Sequence, residues 1–202
     1  MRFVAAILKS SCGGRGTVLR TTVLGWLGLL LVVGAARAQE ARDLEYEVKA
    51  AFLLKFAMFV QWPTNALAAD LQVPLVVGIL GEDPFGGRFD QVIKTEKVNG
   101  RPIEVRRARR AAELLDCQVV FICASEAPRF AEVIAAFQPR PILTVADEAG
   151  FAAQGGMIGF FKEAGKVRFE INPSAIERAG LKASSKLLQV GRRITGRGAA
   201  QG

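Results

Sequence analysis

Two pairs of adjacent acids stand where α/β proteins often do chemistry. Glu82–Asp83 and Asp147–Glu148 each follow an apolar run, "PLVVGIL" and "PILTVA", that reads as a buried strand. Ligands of such folds bind beyond the carboxyl ends of the strands. Neighbouring acids on extended backbone point in different directions, so neither pair is an acid–base dyad by itself. Turn and helix-cap roles account for them more simply. If one pair holds a ligand, a cation suits it better than an anion. The chain has no histidine, which removes serine–histidine and cysteine–histidine catalysis and histidine-based zinc sites. "SSK" at Ser184–Lys186 lacks the Ser-x-x-Lys spacing of a lactamase-type nucleophile. No catalytic, cofactor-binding or metal residue is expected, and a carboxylate-based hydrolase is the weakest reading.

The glycine-punctuated turn "GILGEDPFGG" tests for a phosphate cradle. Its glycines, Gly78, Gly81, Gly86 and Gly87, do not fit G-x-G-x-x-G. Gly81 to Gly86 has the interval of a P-loop, but Gly87–Arg88 replaces the required lysine and hydroxyl. Glu82 and Asp83 would repel a phosphate, and Pro84 removes a backbone N–H. The segment reads as a strand-to-helix turn in which Gly81 and Gly86 serve backbone geometry and Asp83 caps the next helix.

The N-terminus reads as an address. Five basic residues and no acid occupy residues 1–38, where "VLGWLGLLLVVGAA" precedes "ARA" at Ala36–Ala38. That is the layout of a secretory signal peptide cleaved after Ala38, and the apolar run is shorter than the roughly 20 residues of a bilayer span. The protein is expected to be exported. Without this leader the net charge of +8 falls to 22 basic against 19 acidic residues, and residues 39–177 alone are slightly acidic. A nucleic-acid-binding face is not expected. Cys117 and Cys123 flank "QVVFI"; a strand holds their α-carbons roughly 20 Å apart, beyond disulfide reach.

The elements that must position these residues alternate along the chain. "LEYEVKAAFLLKFAMFVQW" has helical periodicity with Val48, Phe52, Phe56, Phe59 and Val60 on one face, and Glu45, Glu47, Lys49 and Lys55 on the remainder. Asp43 suits an N-cap, and Trp62–Pro63 ends the helix. Then come strand "PLVVGIL", helix "GGRFDQVIK", a turn at Asn99–Gly100 before a strand through Ile103 and Val105, helix "RRAAELLDC" and strand "QVVFIC". Helix "SEAPRFAEVIAAFQ", with Ser125 as its cap, and strand "PILTVAD" follow. "GGMIGFFKEAGKVRFEIN" reads as a β-hairpin turning at Glu163–Lys166. "PSAIERAGL" reads as a helix between a cap at Asn172 and Gly180, and "ASSKLLQVGRRI" as a last helix. The fold class is α/β: a single domain with a mostly parallel sheet, helices on both faces, and a C-terminal β-hairpin and helices.

"YEVKAAFLLKFAMFVQWP", "VVGILGEDPFG", "VNGRPIEVRR", "CQVVFICASE", "ILTVADEAGFAAQGGMIGFF", "KVRFEIN" and "AGLKASSKLL", in that order, closely resemble the YfiR family of bacterial periplasmic proteins across Tyr46 to Val190. The resemblance implies a non-enzymatic regulator. Such a protein binds the periplasmic sensor domain of an inner-membrane diguanylate cyclase, holds it inactive, and so lowers cyclic di-GMP and biofilm formation. It also implies a homodimer and an outer-membrane lipoprotein as a second partner, whereas the disulfides of some relatives do not carry over to two cysteines in one strand. The expected layout is a signal peptide at 1–38, a single YfiR-like domain at 39–191 and a flexible basic tail at 192–202. Partner-binding or structural candidates are Phe52, Phe56, Phe59, Trp62, Asp83, Pro84, Phe85, Gly86, Phe160 and Asn172. The alternatives are a periplasmic small-ligand-binding protein or an accessory to another membrane sensor, such as a histidine kinase.

Overall fold

The computed structural model describes residues 39–194 except Asn65 and Ala68; the expected signal peptide and the end of the tail lie outside these residues. From Leu44 onward the chain forms one compact unit. Helix α1 spans residues 39–59 of the described part. It runs unbroken through Asp43, which is therefore not a cap; within residues 39–43, Gln39 Nε2 donates to Asp43 Oδ1 at 2.8 Å. The inner face of α1 carries Lys49, Ala50, Leu53, Leu54, Phe56 and Ala57, and Val60 continues it. Val48, expected inward, is 38% exposed, and Lys49, expected outward, is 5% exposed. The small alanines at 50 and 57 lie on the buried face, 2% and 0% exposed.

Strand β1 (Val60–Gln61) pairs later with β8 (Lys182–Ala183) in a small antiparallel ladder. β2 (Leu75–Leu80) leads through the Gly81–Gly86 turn into α2 (Gly87–Thr95), and a tight turn at Asn99–Gly100 precedes β3 (Ile103–Ala108). Between β3 and β4 (Val119–Ile122) the expected helix shrinks to a 3-10 turn, Ala111–Leu114. This crossover is short, and Cys117 N already closes on Leu114 O at 3.2 Å. The next expected helix is split into a 3-10 segment, Ala124–Arg129, and α3 (Phe130–Phe137). Pro128 lies inside the first part and lacks the N–H that a continuous α-helix would use. Ser125 does not cap either part.

β5 (Leu143–Ala146) is followed by the hairpin β6 (Ile158–Glu163) and β7 (Lys166–Ile171), which turns through Ala164 and Gly165 at positive φ. α4 (Pro173–Arg178) ends in a Schellman motif: Leu181 N reaches Ile176 O and Gly180 N reaches Glu177 O. α5 (Ser185–Val190) is shorter than expected. Arg192 and Arg193, assigned to the tail from sequence, form β9 and add to the sheet beside β7.

Among the described residues the main sheet has seven strands in the order β3-β2-β4-β5-β6-β7-β9. β3, β2, β4, β5 and β6 run parallel, and β7 is antiparallel to β6. α1, α2, α4 and α5 cover one face through Val77, Ile79, Val119, Phe121, Val145 and Phe160. The 3-10 turn at Leu114 and α3 cover the other through Leu80, Val120, Ile122 and Ala146. The chain crosses from β3 over β2 to β4, so strand order reverses between the carboxyl ends of β2 and β4.

Candidate functional site

That reversal places the Gly81–Gly86 turn at the crevice where open α/β sheets take ligands. Here the crevice is filled by the chain itself. Glu82 N donates to Ser125 Oγ at 3.0 Å. A Cβ on Gly81, whose φ is 99°, would stand 2.5 Å from Ser125 Oγ and 2.9 Å from the Glu126 side chain. Asp83 Oδ1 accepts from Phe85 N at 2.7 Å, and its Oδ2 accepts from Arg107 Nε at 2.7 Å. Arg107 also binds Asp90 at 2.8 Å and the Gly86 carbonyl at 3.3 Å. Asp83 thus shapes the turn and clamps it to β3. It does not cap α2, whose N-cap is Gly86 with no side-chain bond. Beside the turn opens a cavity of about 650 Å³ lined by Gly81–Asp83, Arg107–Arg110 and Glu113.

The second acid pair has a different environment. Asp147 Oδ1 pairs with Lys49 Nζ, and Asp147 Oδ2 accepts from Tyr46 Oη at 2.7 Å. Lys49 also donates to Glu45 at 2.5 Å and stands 4.5 Å from the Tyr46 ring centroid. Lys162, from β6, pairs with the other oxygen of Glu45. The Lys49 and Asp147 side chains are 7% and 4% exposed. Such a pair exists only because each charge holds the other in a place water barely reaches. Burial alone would raise the Glu45 carboxyl, but hydrogen bonds from Lys162 and Lys49 outweigh it and hold it below the usual carboxylate range.

The following loop is tied down by Glu170 of β7, which accepts from Gly150 N at 2.7 Å and Ala152 N at 3.3 Å. Arg192 completes that group: it meets Glu170 at 3.2 Å, and its guanidinium lies 3.9 Å from the Phe161 ring centroid. Gly159 allows β6 to pass here, since a Cβ would come within 3.0 Å of Glu148 O and 3.2 Å of Glu170 Oε1. Lys49, Asp147–Ala149, Phe160–Lys162 and Arg192 are among the walls of a cavity of about 390 Å³. The cation site considered for this acid pair does not arise at Asp147, because Lys49 and Tyr46 take both its oxygens.

The residues singled out from sequence fall into three places. Phe52, Phe56 and Phe160 meet, with Phe169, in one aromatic cluster; the tightest contact is Phe56–Phe169 at 4.8 Å. Phe59 and Trp62 are half-buried and pack against the larger core on that side of the sheet, and the Trp62 indole Nε1 is buried with no acceptor among the described residues. Phe85 belongs to a second cluster with Phe121 at 4.7 Å, Phe89 at 5.1 Å and Tyr46 at 5.5 Å. Pro84 is partly exposed and Gly86 exposed in the same turn. Asn172 is fully buried: Oδ1 accepts from Ala175 N at 3.0 Å and Nδ2 donates to Ala152 O at 2.9 Å. It caps α4 and ties it to the loop after β5.

Sequence reasoning missed Lys49, Tyr46 and Glu45 as site residues, and with them Glu170 and Arg192. The spacing Tyr46, Lys49, Leu53, Phe56, Val60 is itself helical, so Lys49 was readable as inward. Cys117 and Cys123 are free and buried. Burial pushes their thiols up to about 11 and about 12. Among the described residues, no group of three or more His, Cys, Asp or Glu is placed to hold a metal, and no helix is long and apolar enough to cross a membrane.

A family model described as YfiR/HmsC-like matches residues 46–192. No curated protein matches the chain. Among solved structures, the chain is similar to an ABC domain from Streptococcus pneumonia in complex with L-Trp, at 10% identity over 72% of this chain and a TM-score of 0.48. It is also similar to a conserved domain protein from Vibrio cholerae, at 12% identity over 60% of this chain and a TM-score of 0.44. It spans 60% and 55% of the lengths of those two chains.

Proposed function

The chain belongs to the YfiR/HmsC-like family, and from that premise we propose that it is a periplasmic negative regulator of diguanylate cyclase signalling. It binds the periplasmic sensor domain of an inner-membrane diguanylate cyclase and holds it inactive, which lowers cyclic di-GMP and biofilm formation. An outer-membrane lipoprotein that competes for the regulator would release the cyclase. The observation that carries this reading is the family match across residues 46–192. The geometry agrees with a protein that acts by contact: Asp83 and Asp147, the acids best placed for chemistry, are each engaged by a cation of the same chain.

Repression by binding needs only that the inactive sensor be held more tightly than the active one. Moving that balance from 1:99 to 99:1 takes about 5.5 kcal/mol of differential affinity, within reach of an interface with a few aromatic anchors. Phe52 and Phe59 of α1 and Trp62 just after β1 keep surface that a partner can reach, as does Pro84 in the turn. Phe56, Phe85, Phe160 and Asn172 are buried and act through structure.

The test is deletion and complementation in the source bacterium. The deletion is expected to raise cyclic di-GMP and biofilm, and crosslinking in the periplasm to recover a membrane protein with a cyclase domain. Unchanged cyclic di-GMP with no such protein recovered would overturn the proposal. A second reading, small-ligand binding, has one observation behind it: the 390 Å³ cavity beside Lys49, Lys162 and Arg192. A thermal-shift screen against amino acids, nucleotides and cations tests it, and a screen without hits removes it.

A further inference from the structure

Charge is unevenly shared along this chain. Residues 39–177 hold 16 basic and 19 acidic residues, whereas residues 178–202 hold six basic residues and no acid. The fold gathers part of that excess around α5. Lys182 of β8 is exposed just before the Ser184 cap, and α5 presents Lys186 and Val190, four residues apart, on its outer side. Arg192 and Arg193 are neighbours on β9 and turn to opposite faces. Arg192 meets Glu170, while Arg193 Nε reaches back to Leu188 O of α5 at 3.2 Å. Gly191 lets the turn between α5 and β9 press on the hairpin, since a Cβ there would stand 2.5 Å from the Phe169 ring. Lys182, Lys186 and Arg193 form no ion pair among the described residues. Val190, between the last two along the chain, is 68% exposed, the most of any large apolar side chain among the described residues.

We propose that Lys182, Lys186, Val190 and Arg193 form a docking face for an anionic phospholipid bilayer. Lysine ammonium groups are hydrated point charges on flexible stems, which suit the diffuse negative charge of a headgroup layer better than a partner read by fixed bidentate contacts. A charged surface acts on all of them at once within a Debye length, about 10 Å at 0.1 M salt. Val190 supplies an apolar tip for the boundary between headgroups and acyl chains, while the cations beside it stay in the wet layer. The slightly acidic remainder of the chain is repelled by the same surface, so the field turns α5 toward the lipid. Docking of this kind is reversible and salt-dependent, far weaker than a membrane anchor. It goes beyond the regulation proposed above and does not rest on it.

Cosedimentation of the protein, purified after export, with vesicles tests it. At low salt the protein should pellet with vesicles of phosphatidylglycerol and phosphatidylcholine in equal parts and stay in solution with phosphatidylcholine alone. Salt of about 1 M, where the Debye length falls to about 3 Å, should release it. Lys182→Gln with Lys186→Gln should weaken binding about 25-fold, roughly fivefold per charge. The matched control, Lys94→Gln with Lys97→Gln, removes two exposed charges at and just after the end of α2, which leads to β3, the opposite edge strand of the sheet. That pair should bind like wild type. All four lysines are exposed, and circular dichroism checks that the variants fold. Every protein compared shares the same N-terminus, so residues 1–38 do not enter the difference. A protein that ignores the anionic vesicles would overturn the proposal, as would an equal loss of binding in the control pair. Capture of an acidic protein by a crosslinker at Lys186, without vesicle binding, would overturn it by giving the face to that protein. The vesicles contain no cyclase, so a failure here leaves the regulatory reading standing.

Discussion

The two strand-end loops carry the same motif, a pair of acids after a buried parallel strand, and the fold uses them in opposite ways. In the Gly81–Gly86 turn, Asp83 meets Arg107, whose side chain is 39% exposed, from the neighbouring strand β3. The contact spans 24 residues and is partly open to solvent, with the Asp83 side chain 16% exposed, and it is backed by an Asx-type bond to Phe85 N. After β5, Asp147 meets Lys49, 98 residues away and almost dry. That pair bolts α1 to the sheet, and Glu45 and Lys162 extend it to β6. Solvent separates the two cases energetically. An exposed pair is worth about 0–1 kcal/mol, whereas removing one partner of a buried pair costs about 3–5 kcal/mol because the other charge is stranded.

The largest effect expected is therefore at the second loop. Lys49→Met should lower unfolding stability by about 3–5 kcal/mol in urea titration, and adding Asp147→Leu should recover much of it. A single variant within about 1 kcal/mol of wild type would erase the contrast between the loops. Next comes Gly81→Ala, which tests whether the first loop depends on its backbone more than on its charges. A φ of 99° and a Cβ 2.5 Å from Ser125 Oγ should cost about 1–3 kcal/mol. Arg107→Ala should then cost no more than about 1 kcal/mol, and the difference should shrink further in high salt. A larger loss than for Gly81→Ala would reverse the reading of that turn.

The smallest effect concerns pH. The Glu45 carboxyl is held below its usual range in the folded state. Its contribution to stability is present above the unfolded-state value and is lost as pH falls through the folded one. Wild type should lose more of its melting temperature than Glu45→Gln between roughly pH 5 and 3. Parallel curves would show that Glu45 is not coupled to Lys49 and Lys162.

Much of the architecture was legible before any coordinates. Continuous apolar runs marked β2, β4 and β5, since a strand covered on both faces has no polar side to show. The hairpin announced itself through alternation and a Glu-Ala-Gly-Lys turn, and α4 through Asn-Pro at one end and Gly180 at the other. The failures share a cause. Lys49 and Glu45 were read as solvated decoration, because lysine and glutamate on a helix nearly always are. Their burial depends on Asp147, which no local window contains. Arg192 and Arg193 were read as the end of the last helix and the start of a flexible basic tail, yet they pair with β7, and Arg192 meets the deeply placed Glu170. Ser125 looked like a cap and instead fills the crevice at Gly81.

Composition, periodicity and turn chemistry by themselves determined the class of fold, the order of most of its elements, the absence of histidine and the mismatch of the glycine turn to both phosphate-binding motifs. These are properties of single residues and short windows, where backbone geometry and side-chain type act directly. The tertiary structure alone decided which charges are buried and which face of α1 turns inward. Those outcomes rest on pairing across long stretches of chain, where desolvation is offset only by a partner that folding brings close.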